Sequence, residues 1–478
     1  MRLAPSTTLQ VASLSLLAAL AGCSDSPPSN NTPADAGADT GAADSGTTDD
    51  VASTDDGGGA MDGGGDAGVT VDVLPPTDGS LETCGITSEV ATYVAEMATT
   101  GWTAANRSRG LMMYGCAGAA TPRDCLADKP LVDDSTIGAN ASVVPGAHLR
   151  LLYSASTRSN FWTRGSADGR FIGRGIYVHD MVRDVEIRMT GAEFDPAFFP
   201  DNSGYMYQPG GRLCPHASLI TGMPTAIPMM GDDSPCTGGS IGLYEHLAAS
   251  LNGEDYWATS AGTAAWDDGG HNPTTTETRR NETWGTRASV SLSLMANTGS
   301  GYMYLASRNV PTPYQGDAVI SPSSRAMITR FVDTSQNYQG FVLHRLEAAR
   351  SGSTISVSTH EMARYCTSGA KPAFSLDERW ITFHHYIGGG PDATTDAQEM
   401  GLADENDPGF AEYASRGSAN IYLLDLQTGR RIRVTNMQPG QYALYPHFRS
   451  DGWIYFLVRT LGTRTEHVIA SDAALLLQ

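Results

Sequence analysis

The feature that most constrains the fold is a repeated segment, Pro-x-Phe-x-x-Asp, which is followed by a tight turn and an apolar strand. Three clear copies carry these residues at the defining positions: Pro196, Phe198 and Asp201; Pro372, Phe374 and Asp377; Pro446, Phe448 and Asp451. Weaker copies turn at Asp168, Asn297 and Ser323. The strand after the last copy is apolar throughout residues 453–458, so we expect both of its faces to be covered.

A second repeated element is a pair of equally long segments, residues 176–190 and 421–435, which share Ile, Tyr, Asp, Ile, Arg and Thr at matching positions. Each reads as a hairpin, with turns at residues 182–184 and 427–430. Two hairpins supply four strands, which is the content of a β-propeller blade. The sequence therefore predicts an all-β fold over residues 84–478: a single β-propeller of about six four-stranded blades, with about five or about seven as open alternatives.

Residues 84–160 precede the repeats and are harder to interpret. The stretch from residue 86 to 102 is predicted to be a short helix, and HLRLLYSAS (148–156) is predicted to be a strand. We expect this region either to supply a first blade or to close the ring against the C-terminal strand at His467–Ala470.

The segments PAFFPDNSGYMY, PAFSLDERWITF and PHFRSDGWIYF resemble the TolB-type β-propeller repeat. With the degenerate copies, the resemblance covers residues 160–478. It implies the propeller fold, which is shared by periplasmic binding and assembly proteins and by gating domains of some peptidases. No catalytic residue belongs to this repeat, so the resemblance implies none here.

The N-terminus has the pattern of an exported lipoprotein. Residues 1–23 combine Arg2, an apolar run and the sequence Leu-Ala-Gly before Cys23, which resembles a bacterial lipobox with Cys23 as the lipidated residue. A membrane-spanning anchor is the alternative, but the apolar run falls short of the ~20 residues that a span needs. We expect a chain in the bacterial cell envelope that is lipid-anchored through Cys23, at the outer membrane, facing the periplasm or the cell surface.

Residues 24–83 form an acidic linker of Ser, Thr, Pro, Gly, Ala, Asn and Asp. It contains 12 Asp and no Lys or Arg, so it has little to bury and is expected to be a disordered tether. The whole chain has a formal net charge of −21, which argues against nucleic acid as a partner.

Six further cysteines suggest disulfide bonds in an exported chain. Closure of short loops favours two pairs and leaves a third, with buried free thiols as the alternative. The two favoured pairs are Cys116–Cys125 and Cys214–Cys236, and the pair that is left is Cys84–Cys366.

Motifs for catalysis or metal binding are weak, and we assign no catalytic residue. Ser240 lies in a Gly-x-Ser-x-Gly sequence that lacks the preceding strand of a nucleophile elbow, so a glycine-rich loop is expected. His384 and His385 are adjacent on a predicted strand and point to opposite faces, which predicts packed histidines. Two acidic pairs in loops are the candidate calcium ligands, against solvated turns: Asp267 with Asp268, and Asp404 with Asp407. We expect no cofactor, with calcium as the alternative.

Two long polar loops, residues 267–284 and 388–417, are where binding functions are expected on a rigid scaffold. Phe410, in the second loop, is predicted to lie outside the core. Its replacement by Ala should then cost under about 1 kcal/mol, against about 3–5 kcal/mol for Phe448.

Three functions fit this organisation. The leading hypothesis is a lipid-anchored binding or scaffolding module for a protein or glycan. The alternatives are a hydrolase or lyase with its site in the central channel, and a surface adhesin. Carboxylates or histidines converging in the channel would favour the enzyme, whereas apolar or scattered polar groups there would favour binding.

Overall fold

The computed structural model describes residues 84–103, 113–133, 137, 142–157, 163–175, 177–188, 194–200, 202, 204–208, 213–215, 244–249, 255–261, 289–297, 302–311, 316–333, 338–388 and 393–477. The predicted signal peptide with Cys23 and the predicted linker lie outside them, as do Asp201, Ser240, Asp267, Asp268 and Cys236. The described fold is mostly β-strand. None of its described helices is long and apolar enough to cross a bilayer.

Two short N-terminal strands precede a series of antiparallel meanders, in which each strand pairs with the next along the chain. The two are β1 (Gly85–Ile86) and β2 (Leu149–Ser156). Meander 1 contains β3 (Thr163–Gly165), β4 (Phe171–Arg174), β5 (Tyr177–Asp180) and β6 (Val185–Arg188). Meander 2 contains β7 (Phe194–Phe198), β8 (Gly204–Gln208) and β9 (Leu213–Pro215). Meander 3 contains β10 (Tyr244–Ala249), β11 (Asp255–Ala261), β12 (Ser289–Asn297) and β13 (Tyr302–Pro311).

The C-terminal half continues in the same way. Meander 4 contains β14 (Gly316–Ile320), β15 (Ala326–Asp333), β16 (Tyr338–Ser351) and β17 (Thr354–Tyr365). Meander 5 contains β18 (Ala370–Phe374), β19 (Trp380–Ile387), β20 (Ser418–Asp425) and β21 (Arg431–Arg433). Meander 6 contains β22 (Gln441–Phe448), β23 (Ile454–Thr460) and β24 (Thr465–Ser471). The two hairpins predicted from the sequence are β5–β6 and β20–β21.

The N-terminal strands complete two of the meanders. Strand β1 pairs with β17 at the outer edge of meander 4. Strand β2 pairs antiparallel with β24, with Arg150 opposite Ala470 and Ser154 opposite His467, and becomes the fourth strand of meander 6. The predicted closure of the N-terminal strand against the C-terminal strand is therefore confirmed. Meanders 5 and 6 pack against each other, and their backbones pair at one described parallel position, Ala419 with Tyr442.

The first strands of the meanders contact one another in sequence. The contacts run from β3 to β7, β7 to β10, β10 to β14, β14 to β18, β18 to β22, and from β22 back to β3. The six first strands therefore contact one another in a cyclic order, in which each strand contacts the first strand of the preceding and of the following meander.

Four short helices accompany the strands among the described residues: α1 (Ser88–Thr100), α2 (Ala393–Glu399), α3 (Ala411–Arg416) and α4 (Ala473–Leu476). Helix α1 is the one predicted from the sequence, and it buries Val90, Tyr93, Val94 and Met97 on one side. Single turns of 3-10 helix occur at Pro122–Leu126 and Pro408–Phe410.

The proline of the repeat lies where the first strand of a meander breaks register with the second. The breaks fall between Phe194 and Ala197, Ala370 and Ala373, and Leu444 and His447, so they enclose Pro196, Pro372 and Pro446. Proline has no N–H for the ladder, and a bulge is one of the few places where a sheet tolerates it. The phenylalanine two residues later is buried in each copy.

The turn of the repeat requires a left-handed residue immediately after its Asp or Ser. Five residues occupy this position, with the following φ angles: Gly169 at 72°, Asn202 at 61°, Ser324 at 62°, Glu378 at 58° and Gly452 at 101°. Glycine and asparagine adopt this region at low cost, which explains the Asp-Gly and Asp-Asn pairs. The weak copy at Ser323 thus joins the same first and second strands as the clear ones.

The weak copy at Asn297 has a different position. Asn297 is the last residue of β12 and is paired with Tyr302, so it borders the hairpin between the third and fourth strands of meander 3. Asn297 therefore does not mark the start of a four-strand unit, as the short distance of 26 residues to Ser323 already indicates.

Strand β23 is covered on both faces, as its sequence predicts. Alternate side chains enter two separate clusters of buried residues. Ile454, Phe456 and Val458 pack in one cluster, whereas Tyr455 and Leu457 pack with Trp453 in the other. A strand between two layers therefore loses the polar alternation of a solvent-facing sheet.

Buried charges cross the join between meanders 1 and 6. Glu466 on β24 is fully buried and forms ion pairs with Arg459, at 2.7 Å, and with Arg174 of meander 1. Arg174 also pairs with Glu186 and donates to the carbonyl of Ser156 on β2, at 2.8 Å. These contacts hold β2, β24 and meander 1 together.

The loop at residues 388–417 is folded onto the sheet, which corrects the sequence-based expectation for Phe410. From residue 393 onward it contains α2 and α3, and Phe410 is only 1% exposed. Its ring packs with Ile387, Ala397 and Tyr413 in a small cluster of its own. Because most residues of the loop are polar, its sequence does not indicate that a few apolar residues pack against the sheet.

We expect Phe410→Ala to lower the free energy of unfolding by about 3–5 kcal/mol, as much as Phe448→Ala, because each change empties a packed site. Chemical denaturation of both variants measures this. Leu461→Ala is the control, since its side chain is 43% exposed and its loss should cost about 0.5 kcal/mol or less. A Phe410→Ala variant as stable as the control would show that this ring does not anchor the loop.

Glu466→Gln should lower the free energy of unfolding by about 3–5 kcal/mol, because Arg174 and Arg459 would keep their buried charges without this partner. The control is Glu89→Gln, which removes an exposed pair with His360 and should cost about 1 kcal/mol or less. Denaturation curves compare the two. Equal losses would contradict a special role of Glu466 in the join.

Candidate functional site

The repeated turns of neighbouring meanders contact one another and form a surface that we call the turn face (residues 166–170, 199–202, 321–325, 375–379 and 449–453). The backbone N–H of Ser450 donates to the carbonyl of Ala167 at 3.2 Å. The next contact runs from the N–H of Asp168 to Oδ1 of Asn202, at 3.4 Å. The turns are thus linked laterally as well as through their strands.

The first strands enclose a small cavity beneath the turn face. Its volume is about 60 Å³. The described lining is mostly apolar: Gly165, Ala167, Ala197, Phe198, Phe199, Pro200, Pro322, Ala373, Phe374, Leu376 and Phe448, with Arg164 and His447. Such a volume holds a few water molecules, whereas small-molecule sites occupy roughly 300–1,000 Å³.

His447 and Arg164 are the ionisable side chains among the described residues of this cavity. Burial, together with the charge of Arg164, lowers the pKa of His447 to about 3, so its imidazole is neutral at physiological pH. The ring packs edge-on against Tyr455, with centroids 5.4 Å apart. A Cβ at Gly165 would come within 2.9 Å of Nε2, so glycine is needed there for the imidazole to fit.

The N-terminal segment covers part of the turn face. The indole N–H of Trp102 donates to the carbonyl of Pro322. Arg449, fully buried, donates to the carbonyl of Tyr114 at 2.7 Å, and Trp453 donates to that of Pro122, also at 2.7 Å. Turns of meanders 4 and 6 are therefore sealed by residues that precede every meander in the chain.

Two disulfides secure this segment. Cys84 is bonded to Cys366, next to the end of β17, and Cys116 is bonded to Cys125. Cys116–Cys125 is one of the two pairs that loop closure favours, and Cys84–Cys366 is the pair that this leaves. The side chain of Cys214 and all of Cys236 lie outside the described residues. Asp451 is close to Cys116 and Cys125, but sulfurs joined in a disulfide are not available as thiolate metal ligands.

Glu378 is a buried carboxylate on the turn face. It accepts hydrogen bonds from the backbone N–H of Ser323 at 2.6 Å, from the Ser323 hydroxyl at 2.9 Å, and from the hydroxyl of Tyr93 on α1. Burial raises the pKa of Glu378 even though these donors favour the ionised form. The carboxylate joins α1, meander 4 and meander 5 at one point.

A larger concave surface lies between meanders 3 and 4, at the edge of the turn face. This groove has a volume of about 670 Å³ and is lined by Trp257, Ser323–Arg325, Arg345–Ala349 and Ser356–Ser358. Its size lies within the range of ligand sites. Trp257 forms a buried part of the wall, and serine hydroxyls and two arginines provide hydrogen-bonding groups.

Both arginines of the groove share one carboxylate. Arg345 pairs with Oε2 of Glu96 at 3.2 Å, and Arg325 pairs with Oε1 of the same residue. Arg345 also lies over the ring of Tyr93, with its guanidinium carbon 5.2 Å from the centroid. Glu96 offsets one of these two positive charges, and Glu347, which also lines the groove, offsets the other.

The structure places the sequence-derived candidates apart from the groove. Asp404 and Asp407 accept backbone N–H groups of their own loop, Asn406 at 2.7 Å and Gly409 at 2.8 Å. His384 is buried against Tyr445, whereas His385 points the other way and pairs with Asp396 at 2.7 Å. The two histidines lie on opposite faces, as the strand pattern predicts.

Sequence reasoning missed Glu378 and the arginines of the groove. A signal existed for Arg325, because Arg170 and Arg379 occupy the same position two residues after the turn Asp or Ser. In the other meanders these arginines pair with Asp180 and Asp425. Arg325 instead faces α1, which the repeat pattern does not encode.

No protein-family model matches the chain, and no curated protein matches it. Among solved structures it is similar to TolB from Acinetobacter baumannii, with a TM-score of 0.32 and 11% identity over 65% of this chain and 62% of that one. It is also similar to oligogalacturonate lyase from Vibrio parahaemolyticus, with a TM-score of 0.37 and 10% identity over 72% and 98%. A third is the β-propeller domain of the trilobed protease from Pyrococcus furiosus, with a TM-score of 0.33 and 7% identity over 66% and 82%.

The chain thus spans less than two thirds of the length of TolB. TM-scores as low as these do not establish a shared fold. The proposals for this chain therefore rest on its own strand pairing and side-chain contacts.

Glu378→Gln should change the pH dependence of stability. Because the folded state raises the pKa of Glu378, its stabilising contribution is present below the ordinary Glu pKa of about 4.3 and is lost as pH rises through the folded value. The difference in melting temperature, variant minus wild type, should be more positive at high pH than at low pH. Glu412→Gln, at an exposed helix position, is the control, and a pH-independent difference for Glu378→Gln would contradict the assignment.

Proposed function

We propose that residues 84–478 form a β-propeller of six blades, one for each meander. The support is the repeated four-strand unit and the cyclic contacts of the first strands. Strand β2 closes the ring by completing the last blade with a strand from the N-terminal side. Meander 2, with three described strands, is the blade that departs from the pattern.

The propeller is proposed to be displayed in the bacterial envelope. Lipidation of Cys23 would anchor the chain at the outer membrane, facing the periplasm or the cell surface, and the acidic residues that follow would act as the tether. A coil of this length reaches roughly 40–45 Å, so the domain would sample a zone near the membrane. The support is the lipobox-like sequence and the linker composition.

The proposed activity is that of a binding or scaffolding module for an envelope protein or glycan. The observation that carries it is the groove of about 670 Å³, which joins an aromatic wall, serine hydroxyls and two arginines. The cavity beneath the turn face offers far less space and has a mostly apolar lining, and the N-terminal segment covers part of that face. The proposed binding uses no metal ion or cofactor and involves no nucleic acid.

A photo-crosslinking amino acid at Ser358 should capture this partner in intact cells, because Ser358 lines the groove and is exposed. Irradiated envelopes are analysed by mass spectrometry for peptide adducts and by glycan staining. The same amino acid at Leu461, exposed in the β23–β24 hairpin, is the matched control. Absence of adducts at Ser358, or equal yields at both positions, would contradict binding in the groove.

A further inference from the structure

One wall of the groove is a strand edge that no described strand pairs with. Strand β15 begins at Ala326, opposite Arg345, while its neighbour β16 continues to Ser351. The last described hydrogen bond on this side runs from the N–H of Leu346 to the carbonyl of Arg325, at 2.9 Å. Beyond it, no described strand continues along the β15 side of β16. We call the part of the groove that lies beside Glu347–Ser351 of β16 the notch.

The register shows which backbone groups face the notch. Every residue from Glu347 to Ser351 has a partner residue in β17, but only alternate residues direct their N–H and C=O groups at that strand. Glu347 and Ala349, which lie opposite Ser358 and Ser356, are in this set. The N–H of Leu346 points the opposite way, toward β15. Because strand residues alternate, Ala348 and Arg350 also present their N–H and C=O groups to the notch. A strand placed there would continue the ladder that β15 ends.

The far end of the notch is spanned by an ion pair. Arg350 pairs with Asp255 of β11 at 2.9 Å, and Trp257 on the same strand forms the opposite wall. Five residues of β16, from Glu347 to Ser351, extend past the end of β15. At roughly 3.4 Å per residue the free edge is about 17 Å long, enough for a short extended segment.

The inner end of the notch adds a preference for a carboxylate. Arg325 and Arg345 form their described ion pairs with the one carboxylate of Glu96, so most of their guanidinium N–H groups stay available to a second carboxylate. Glu347 also lines the groove and keeps its negative charge, and its carboxylate accepts from the hydroxyl of Ser358, on the β17 side. Ser324, only 8% exposed, lines the groove, and no described residue is a hydrogen-bond partner of its hydroxyl.

We propose that the groove binds an extended, acidic peptide segment of a partner protein, which adds to the free edge of β16 as an antiparallel strand. Backbone hydrogen bonds to Ala348 and Arg350 supply affinity, and a carboxylate near Arg325 and Arg345 supplies selectivity. The inference rests on the proposed binding function and specifies its partner class.

The test begins with a displayed library of random eight-residue peptides selected against the full-length protein. Selected peptides are synthesised, and their dissociation constants are measured by fluorescence anisotropy. Enriched sequences should contain an acidic residue, and its replacement by the corresponding amide should weaken binding by about 10-fold.

Strand addition predicts a two-residue period in the peptide. N-methylation of alternate amides should weaken binding by about 10-fold or more in one phase and by about 2-fold or less in the other, since only one set faces β16. This measurement uses the wild-type protein, so it does not depend on a variant that folds. Equal losses in both phases would overturn strand addition.

Variants test the protein side. Ala348→Pro removes the N–H that faces the notch and should weaken binding by about 10-fold, with the melting temperature recorded alongside.

Arg345→Gln should weaken peptide binding by a similar factor, whereas Glu96→Gln should strengthen it because it frees both arginines. Arg308→Gln, an exposed arginine on β13, is the charge control and should leave affinity unchanged. Unchanged affinity in both Ala348→Pro and Arg345→Gln would overturn the proposed site.

The remaining outcomes separate this inference from the broader function. Selected peptides displaced by a synthetic peptide of residues 24–83 would show that the chain's own linker fills the notch, which overturns an external partner. Enrichment of no peptide, with binding on a glycan array, would overturn the peptide inference and retain the binding module. Absence of both would contradict the proposed function itself.

Discussion

The pairing of β2 with β24 is the interaction on which the rest of the structure depends. It joins residues 149–156, which precede meander 1, to residues 465–471 near the end of the described chain, so both segments occupy one sheet. The buried contacts of Glu466 with Arg174 and Arg459 fasten that sheet to meander 1. The cyclic order of the first strands needs this join, because meanders 1 and 6 lie at opposite ends of the sequence.

Much of the strand architecture follows from the sequence because its causes are local. Pro372 and Pro446 lack an N–H, Gly169 and Gly452 accept positive φ, and β23 is apolar on both faces; each is a property of a few adjacent residues. Phe410 was misplaced because its burial depends on Ile387, outside its own loop. The groove was missed because Trp257, Arg325 and Arg345 come from separate strands and Glu96 from a helix.

The N-terminal segment covers part of the turn face and also borders the groove. Trp102, Tyr114 and Pro122 cover turns of meanders 4 and 6. The same segment contributes Glu96, whose carboxylate pairs with the two arginines that line the groove. The covering of the turn face and the proposed recognition in the groove are therefore coupled through α1.

The Cys84–Cys366 disulfide has a mechanical consequence. It lies at the first described residue, next to the proposed acidic linker, and it connects that point to the residue after β17. If the linker acts as the proposed tether, a pull along it passes through a covalent bond into the β16–β17 hairpin. Without this bond, the same force would act first on the two-residue strand β1. The disulfide would therefore let the proposed tether carry tension without separating β1 from the sheet.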